Sequence, residues 1–407
     1  MEKQSSKLAV MGGLAGLLLL MFTLCGTAQA QGVGFNIIHQ FSDGPDGSQP
    51  LAPLIIDAQG DLYGVTWYGG AYGYGTVFKM TPVGGHWAWT TLYDFGAAGP
   101  NDGYQPNQLV QDAHGVLYGT TAEGGGPAGC GTVYSLTPPP PGSLMGRWTE
   151  TQILAFSNYQ QGCDSLAGLT LDAAGNLYGT TTSGGSNGAG NVFKLTKSGG
   201  QWTYQNLYSF SDGGAAFPSA PVTLDSEGNL YSTSAGGDFI CGSVWQITPS
   251  GGLNILHTFS CGDDGSTPYA GVILDSSGNL YGGTSEGGTA GGGVVFELSP
   301  GSDGWSFNVI YSIPGNNECC GPMSSPVMDT AGNLYVTTYD FGLYNEGSIF
   351  KLLPGPGGWT YQPVHDFNSW DGADIMGALV DPRGRVFGTA SYGGQGWYNG
   401  LIFEIVR

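Results

Sequence analysis

Apolar and polar residues alternate along most of this chain in short runs, and the runs are broken by Gly, Asn, Asp and Ser. A period of two puts successive side chains on opposite faces of a strand, and clusters of turn residues between such runs predict hairpins. One stretch sets the pattern. Leu169-Thr-Leu-Asp172 reads as a short apolar strand, Ala173 to Asn176 as a tight turn, and Leu177-Tyr-Gly-Thr-Thr-Thr182 as the return strand. Gly and Asn tolerate positive φ, an Asp side chain can accept from nearby backbone amides, and aromatic and β-branched residues favour the pleated surface.

The same hairpin recurs at Asp57, Asp112, Asp172, Asp225, Asp275, Asp329 and Asp381, each opening a D-x-x-G segment, with 50 to 60 residues between successive Asp positions. A repeated Asp could mark a ring of metal ligands or catalytic groups. Its identical place in every copy favours turn chemistry. A Gly-led alternating strand follows each hairpin, at 75–81, 131–137, 190–196, 242–248, 293–299, 347–353 and 400–406. An aromatic-rich strand comes next, at 87–95, 148–156, 202–210, 253–259, 305–313 and 359–367. The seventh aromatic strand, Phe35 to Phe41, precedes the first hairpin. Each unit therefore has four strands, A and B for the hairpin, C for the Gly-led strand and D for the aromatic one. Four strands per period near 50 residues predict an all-β, seven-bladed β-propeller. The offset frame predicts that Phe35–Phe41 completes the last blade beside 400–406, which removes the free edges of an open stack.

Residues 1–30 read as a secretory signal: Lys3 and Lys7, an apolar run from Leu8 to Leu24, then Ala28-Gln-Ala30 for cleavage. The expected mature chain, 31–407, is a single domain without a further membrane-spanning run, secreted or periplasmic. The net charge of −21 disfavours nucleic acid or an anionic membrane as partner. Six cysteines follow the signal. Cys130 and Cys241 each end a B–C loop, and Cys163 and Cys261 lie in the D–A loops that follow. Disulfides Cys130–Cys163 and Cys241–Cys261 are thus expected, leaving Cys319 and Cys320 as a vicinal pair or free thiols.

The string D-x-x-G-N-L-Y-G-T-T, then Gly-Gly, then G-x-V-F-K-L-T resembles the GloVer tandem-repeat proteins, a choice-of-anchor group of exported bacterial proteins, over nearly all of residues 35–407. The resemblance implies export and a repeat fold and no particular reaction. Members often carry varied C-terminal anchors, and this sequence departs from the anchored members in stopping at Arg407 with no such segment.

In an up-and-down blade the B–C and D–A loops share one face of the disc. The B–C loops of blades 1, 6 and 7 are the richest in aromatics: Trp67, Tyr68, Tyr72 and Tyr74, then Tyr339, Phe341 and Tyr344, then Tyr392, Trp397 and Tyr398. The adjoining D–A loops carry Asp43, Asp46, Asp371 and Asp374. Rings beside carboxylates suit a sugar, a Ca²⁺ ion or a cationic ligand. The expected ligand site is therefore Trp67, Tyr72, Tyr74, Tyr339, Tyr344, Trp397 and Tyr398 with Asp43 and Asp371. The competing expectation is that the rings fold over and pack.

Catalytic signals are weak. Gly184–Gly188 and Gly283–Gly287 match G-x-S-x-G without a strand-to-helix elbow, in a chain with 75 glycines. His39, His257 and His365 each stand two residues before the closing Phe of a D strand, where other copies have Tyr93 or Tyr208, so they read as outer-strand residues. No cofactor is implied. The leading expectation is an exported binding or interaction module for an extracellular or cell-surface ligand, a glycan or a protein. The alternatives are a carbohydrate-active enzyme with paired carboxylates at the channel mouth and a structural envelope protein.

Overall fold

A computed structural model describes residues 34–99, 101–143, 146–211, 215–236, 241–315, 321–396 and 398–406. Its strands form seven sheets of four strands, one of which has its inner strand in two pieces. The chain is a seven-bladed β-propeller. Blade 1, for example, is built from Ile55–Ile56, Leu62–Thr66, Thr76–Val83 and His86–Asp94, from the axis outwards. The ring closes as the offset frame predicts. Gly34–Gln40 pairs antiparallel with Leu401–Val406 in blade 7, in the register Phe35 to Ile405 and Ile37 to Phe403.

Seven apolar clusters hold the ring together, one in each seam between neighbouring blades. The closing seam sets Phe41, Leu54, Phe78 and Met80 against Phe387 and Ile402. Every outer strand shows a register shift at the same place, which in blade 1 inserts Leu92 between the Thr91–Phe78 and Tyr93–Val77 pairs. A bulge of this kind exchanges the faces of the strand beyond it. Trp87 and Trp89 therefore pack into the seam with blade 7, and Leu92, Tyr93 and Phe95 into the seam with blade 2. One strand with uniform alternation serves two interfaces.

The inner strands are shorter than the sequence suggests. Only Thr170–Leu171 pairs in blade 3, where the pattern predicts 169–172, and five other blades also have two-residue inner ladders, blade 2 with a separate upper piece. Pro50, Pro53, Pro106, Pro218, Pro221, Pro268, Pro322 and Pro326 remove donors from these segments. Blade 7 has no proline there, and its strand runs in full from Ala373 to Val380. Blade 3 lacks one too and stays short, so proline is only part of the reason.

Each Gly-led strand begins where a side chain cannot fit. Gly75 has φ 96°, and a Cβ there would lie 2.3 Å from the Thr66 carbonyl oxygen. The Gly after Leu-Tyr has a separate purpose: a Cβ on Gly64 would meet the buried ring of Phe78 at 2.4 Å.

Candidate functional site

The seven hairpin carboxylates are turn braces. Asp172 Oδ1 accepts from the backbone amides of Ala174 and Asn176, and its Oδ2 accepts from Asn176 Nδ2 at 2.7 Å and the Tyr178 hydroxyl at 3.1 Å. Asp381 keeps the amide contacts and takes Arg385 Nε at 2.8 Å instead. These groups lie on the A–B face, away from the aromatic loops.

A second carboxylate bracket lies in the D–A loops. His39, His257 and His365 hydrogen-bond through Nε2 to Asp46, Asp264 and Asp371 at 3.1, 3.1 and 3.0 Å. Tyr93 does the same with Asp102 at 2.8 Å. The carboxylates also accept from backbone amides in their loops, such as Ser42, Gly96, Ser260 and Asn368. The three His rings stack across the seam on Trp89, Phe307 and Phe35. Burial holds the His39 and His257 rings below the usual imidazole range, against the pull of their Asp partners. These histidines are outer-strand residues, and among the described residues no three His, Cys, Asp or Glu side chains converge as metal ligands.

The predicted aromatic arc divides into packed and exposed members. Trp67 is half-buried, and its indole N–H donates to Asn107 in blade 2 at 3.4 Å. Phe341 packs against Phe350. The Tyr339 hydroxyl is bonded to Asp374, and burial together with that contact pushes its pKa up. Burial also raises the Asp374 pKa, with Glu346 adding to the rise and the Tyr339 bond opposing it. By contrast Tyr72 and Tyr344 are each 55% exposed and Tyr398 is 69% exposed, with Tyr68 and Tyr74 also on the surface. Tyr74 stands 5.3 Å from Tyr104 of blade 2. Trp397 lies outside the described residues. Asp43 is exposed and accepts from the Ser48 hydroxyl at 2.8 Å, whereas Asp371 is held between His365 and Asn368.

Sequence reasoning missed Trp370, which is 78% exposed in the D–A loop before blade 7, and Leu343 beside Tyr344. The signal was present: Trp370 precedes Asp371 in a loop searched only for acids. With it, six of the eight exposed aromatic side chains among the described residues belong to this arc (68, 72, 74, 344, 370 and 398, against 159 and 269).

The glycoside alternative places paired carboxylates at the channel mouth. Described residues from all seven inner strands line the channel wall, and none of these is charged. At the heads of those strands Asp164 and Asp374 stand in blades 3 and 7, the first receiving the Ser183 hydroxyl at 2.8 Å and the second bonded to Tyr339. Of the two G-x-S-x-G serines, Ser285 donates to the Thr267 carbonyl at 2.9 Å, and Ser186 sits in a surface loop.

Both expected cysteine pairs meet on the aromatic-loop face. Cys130 is bonded to Cys163 with Cα atoms 4.4 Å apart, and Cys241 to Cys261 with Cα atoms 5.2 Å apart. Cys319, Cys320 and the signal segment lie outside the described residues. Among the described residues no helix is long and apolar enough to cross a membrane.

The profile of the Gloeobacter/Verrucomicrobia repeat matches residues 25–237 and 222–407. No curated protein matches the chain. Among solved structures, the extracellular domain of BT4673 from B. thetaiotaomicron, described as a one-component system, aligns with a TM-score of 0.58 at 14% identity over 92% of this chain and 43% of its own. The extracellular domain of BT3049 from the same organism, described as a hybrid two-component system, gives 0.55 at 14% identity over 91% and 41%. PorZ, a surface component of the type-IX secretion system of Porphyromonas gingivalis, gives 0.54 at 13% over 88% and 46%. The chain spans less than half the length of these three structures, and at such identity they share its fold alone.

Proposed function

The chain belongs to the Gloeobacter/Verrucomicrobia repeat family, and from that premise we propose that it is an exported propeller that binds a glycan on the B–C/D–A face of blades 6, 7 and 1. The observation that carries this reading is the exposure of Tyr72, Tyr344, Trp370 and Tyr398 on one arc, which holds six of the eight exposed aromatic side chains among the described residues. Exposed aromatic patches are interaction sites more often than inert surface, and a flat ring offers a stacking platform for the apolar face of a sugar. Asp43 and neighbouring amide side chains supply acceptors and donors for hydroxyls. The apparent signal segment, the two disulfides and the extracellular neighbours support export, either secreted or periplasmic.

A glycan array probed with residues 31–407, with and without Ca²⁺, tests the reading. Trp370→Ala and Tyr72→Ala are expected to weaken the best signals by at least about tenfold, a loss of ~1.4 kcal/mol, at unchanged melting temperature. Binding that survives both substitutions, or an array without a signal, contradicts it. Cell fractionation that leaves the protein in the cytoplasm contradicts export.

A further inference from the structure

The channel on the propeller axis has a chemistry unlike that of the aromatic face. It encloses about 490 Å³, within the range of roughly 300–1,000 Å³ that small-molecule sites occupy. An apolar girdle comes from equivalent positions near the heads of the inner strands: Leu51, Leu166, Tyr269, Met323 and Met376. They stand two residues after Gln49, Asp164, Thr267, Gly321 and Asp374 respectively, and all of these but Gly321 have positive φ, at 52°, 59°, 56° and 55°. Below the girdle the wall continues with aliphatic residues such as Ile55 and Ile273. The girdle is not closed by its own packing, since Leu166 is 40% and Tyr269 38% exposed.

The two remaining positions of the girdle are polar. Asn107 is satisfied, donating to the Ser165 carbonyl at 2.7 Å and accepting from Trp67. Ser219 is not: its Oγ is out of contact with solvent and has no hydrogen-bond partner among the described residues. An unpaired hydroxyl in an apolar wall is costly, and rotation about χ1 would recover a bond from any ligand hydroxyl that reached it.

We infer that the central channel is a binding site for a neutral alkyl chain with a hydroxyl head, the chain held by the aliphatic girdle and the head by Ser219. Charge sets the class. Among the described lining residues none carries a charge, so a charged head would lose hydration with nothing to replace it. Asp164 and Asp374 at the strand heads and a net charge of −21 add repulsion against a carboxylate. A sugar fits this wall poorly, because most of its lining side chains are apolar and it has one aromatic ring. The site is separate from the aromatic arc and does not depend on it.

Equilibrium dialysis of residues 31–407 against 1-decanol, decanoate and decyltrimethylammonium compares one chain with three heads. One decanol is expected to bind per protein, and decanoate at least about tenfold more weakly. Leu166→Glu and Met376→Glu are expected to abolish decanol binding at unchanged melting temperature, Ser219→Ala to weaken it about tenfold, and Trp370→Ala to leave it intact. If either glutamate variant fails to fold, Met323→Gln carries the comparison with the same expected loss. Absence of saturable decanol uptake, equal binding of all three heads, or binding indifferent to the channel substitutions overturns the inference.

Discussion

Glu150 is the residue whose environment departs furthest from its place in the repeat. It occupies the outer-strand position where blades 1, 3, 5 and 6 have Trp89, Tyr204, Phe307 and Tyr361, paired opposite Leu136. Burial, with Asp102 nearby, pushes its carboxyl up to about 7. A carboxyl raised in the folded state holds a proton that the unfolded chain has already released, so stability falls as pH rises from about 4.5 to about 7. Glu150→Gln is therefore expected to match the parent in melting temperature near pH 4 and to exceed it near pH 8; an equal difference at both values would refute the assignment. Three hairpin carboxylates, Asp172, Asp225 and Asp329, titrate with the opposite sign. Burial alone would raise Asp172, but the bonds from Asn176, Tyr178 and the turn amides outweigh it and hold the group below the usual carboxylate range. Asp225 and Asp329 behave alike. Their stabilisation is complete above roughly pH 4 and is lost as pH falls through the lowered values. Asp172→Ala, which deletes this acceptor, is expected to cost about 1–3 kcal/mol in denaturant unfolding. A neutral result would show that the turn needs only its Gly and Asn.

The hairpin and the Gly-led strand were legible because their determinants are local. Asp, Gly and the apolar alternation occupy fixed offsets, and Gly64 and Gly75 meet Phe78 and Thr66 on the neighbouring strand of the same blade. The outer-strand bulge was not legible. Trp87, Trp89, Tyr93 and Phe95 keep one parity, which alone sends them all to one face, and only the pairing of Val77 with Tyr93 shows the switch. The short inner ladders were missed in part because the Pro residues that limit them also fit an edge strand. The D–A acids were misleading for a related reason. Asp371 looks free in sequence because its partner His365 stands six residues earlier on another element. The Cys130–Cys163 bridge ties the loop ahead of a C strand to the loop entering the next blade. Its removal by Cys130→Ser with Cys163→Ser is expected to lower stability by about 2–4 kcal/mol without altering far-ultraviolet circular dichroism. Loss of the β signal in the double variant would mean that the bridge is required for folding.

At the scale of the whole molecule, seven seams and one borrowed strand make a closed ring. Deleting residues 31–42 would uncover the edge of Leu401–Val406 and remove Phe35 and Phe41 from two seams. Broad, non-cooperative melting or aggregation is expected; a truncated protein that melts sharply at the parent temperature would show that closure adds little. Repetition made this architecture readable, since one unit cannot bury its own faces. The ligand face was readable only in outline, because exposure depends on how loops from blades 6, 7 and 1 fold over one another. Trp67 and Phe341 pack, and Trp370 stands clear. The central claim is that this arc is where the propeller meets its ligand. Hydrogen–deuterium exchange of residues 31–407, with and without the strongest-binding array glycan, tests it most directly. Slowed exchange confined to segments 67–75, 340–347, 368–374 and 392–400 is expected. Slowing confined to the A–B turns around Asp57, Asp172 or Asp329, with the arc unchanged, would contradict it.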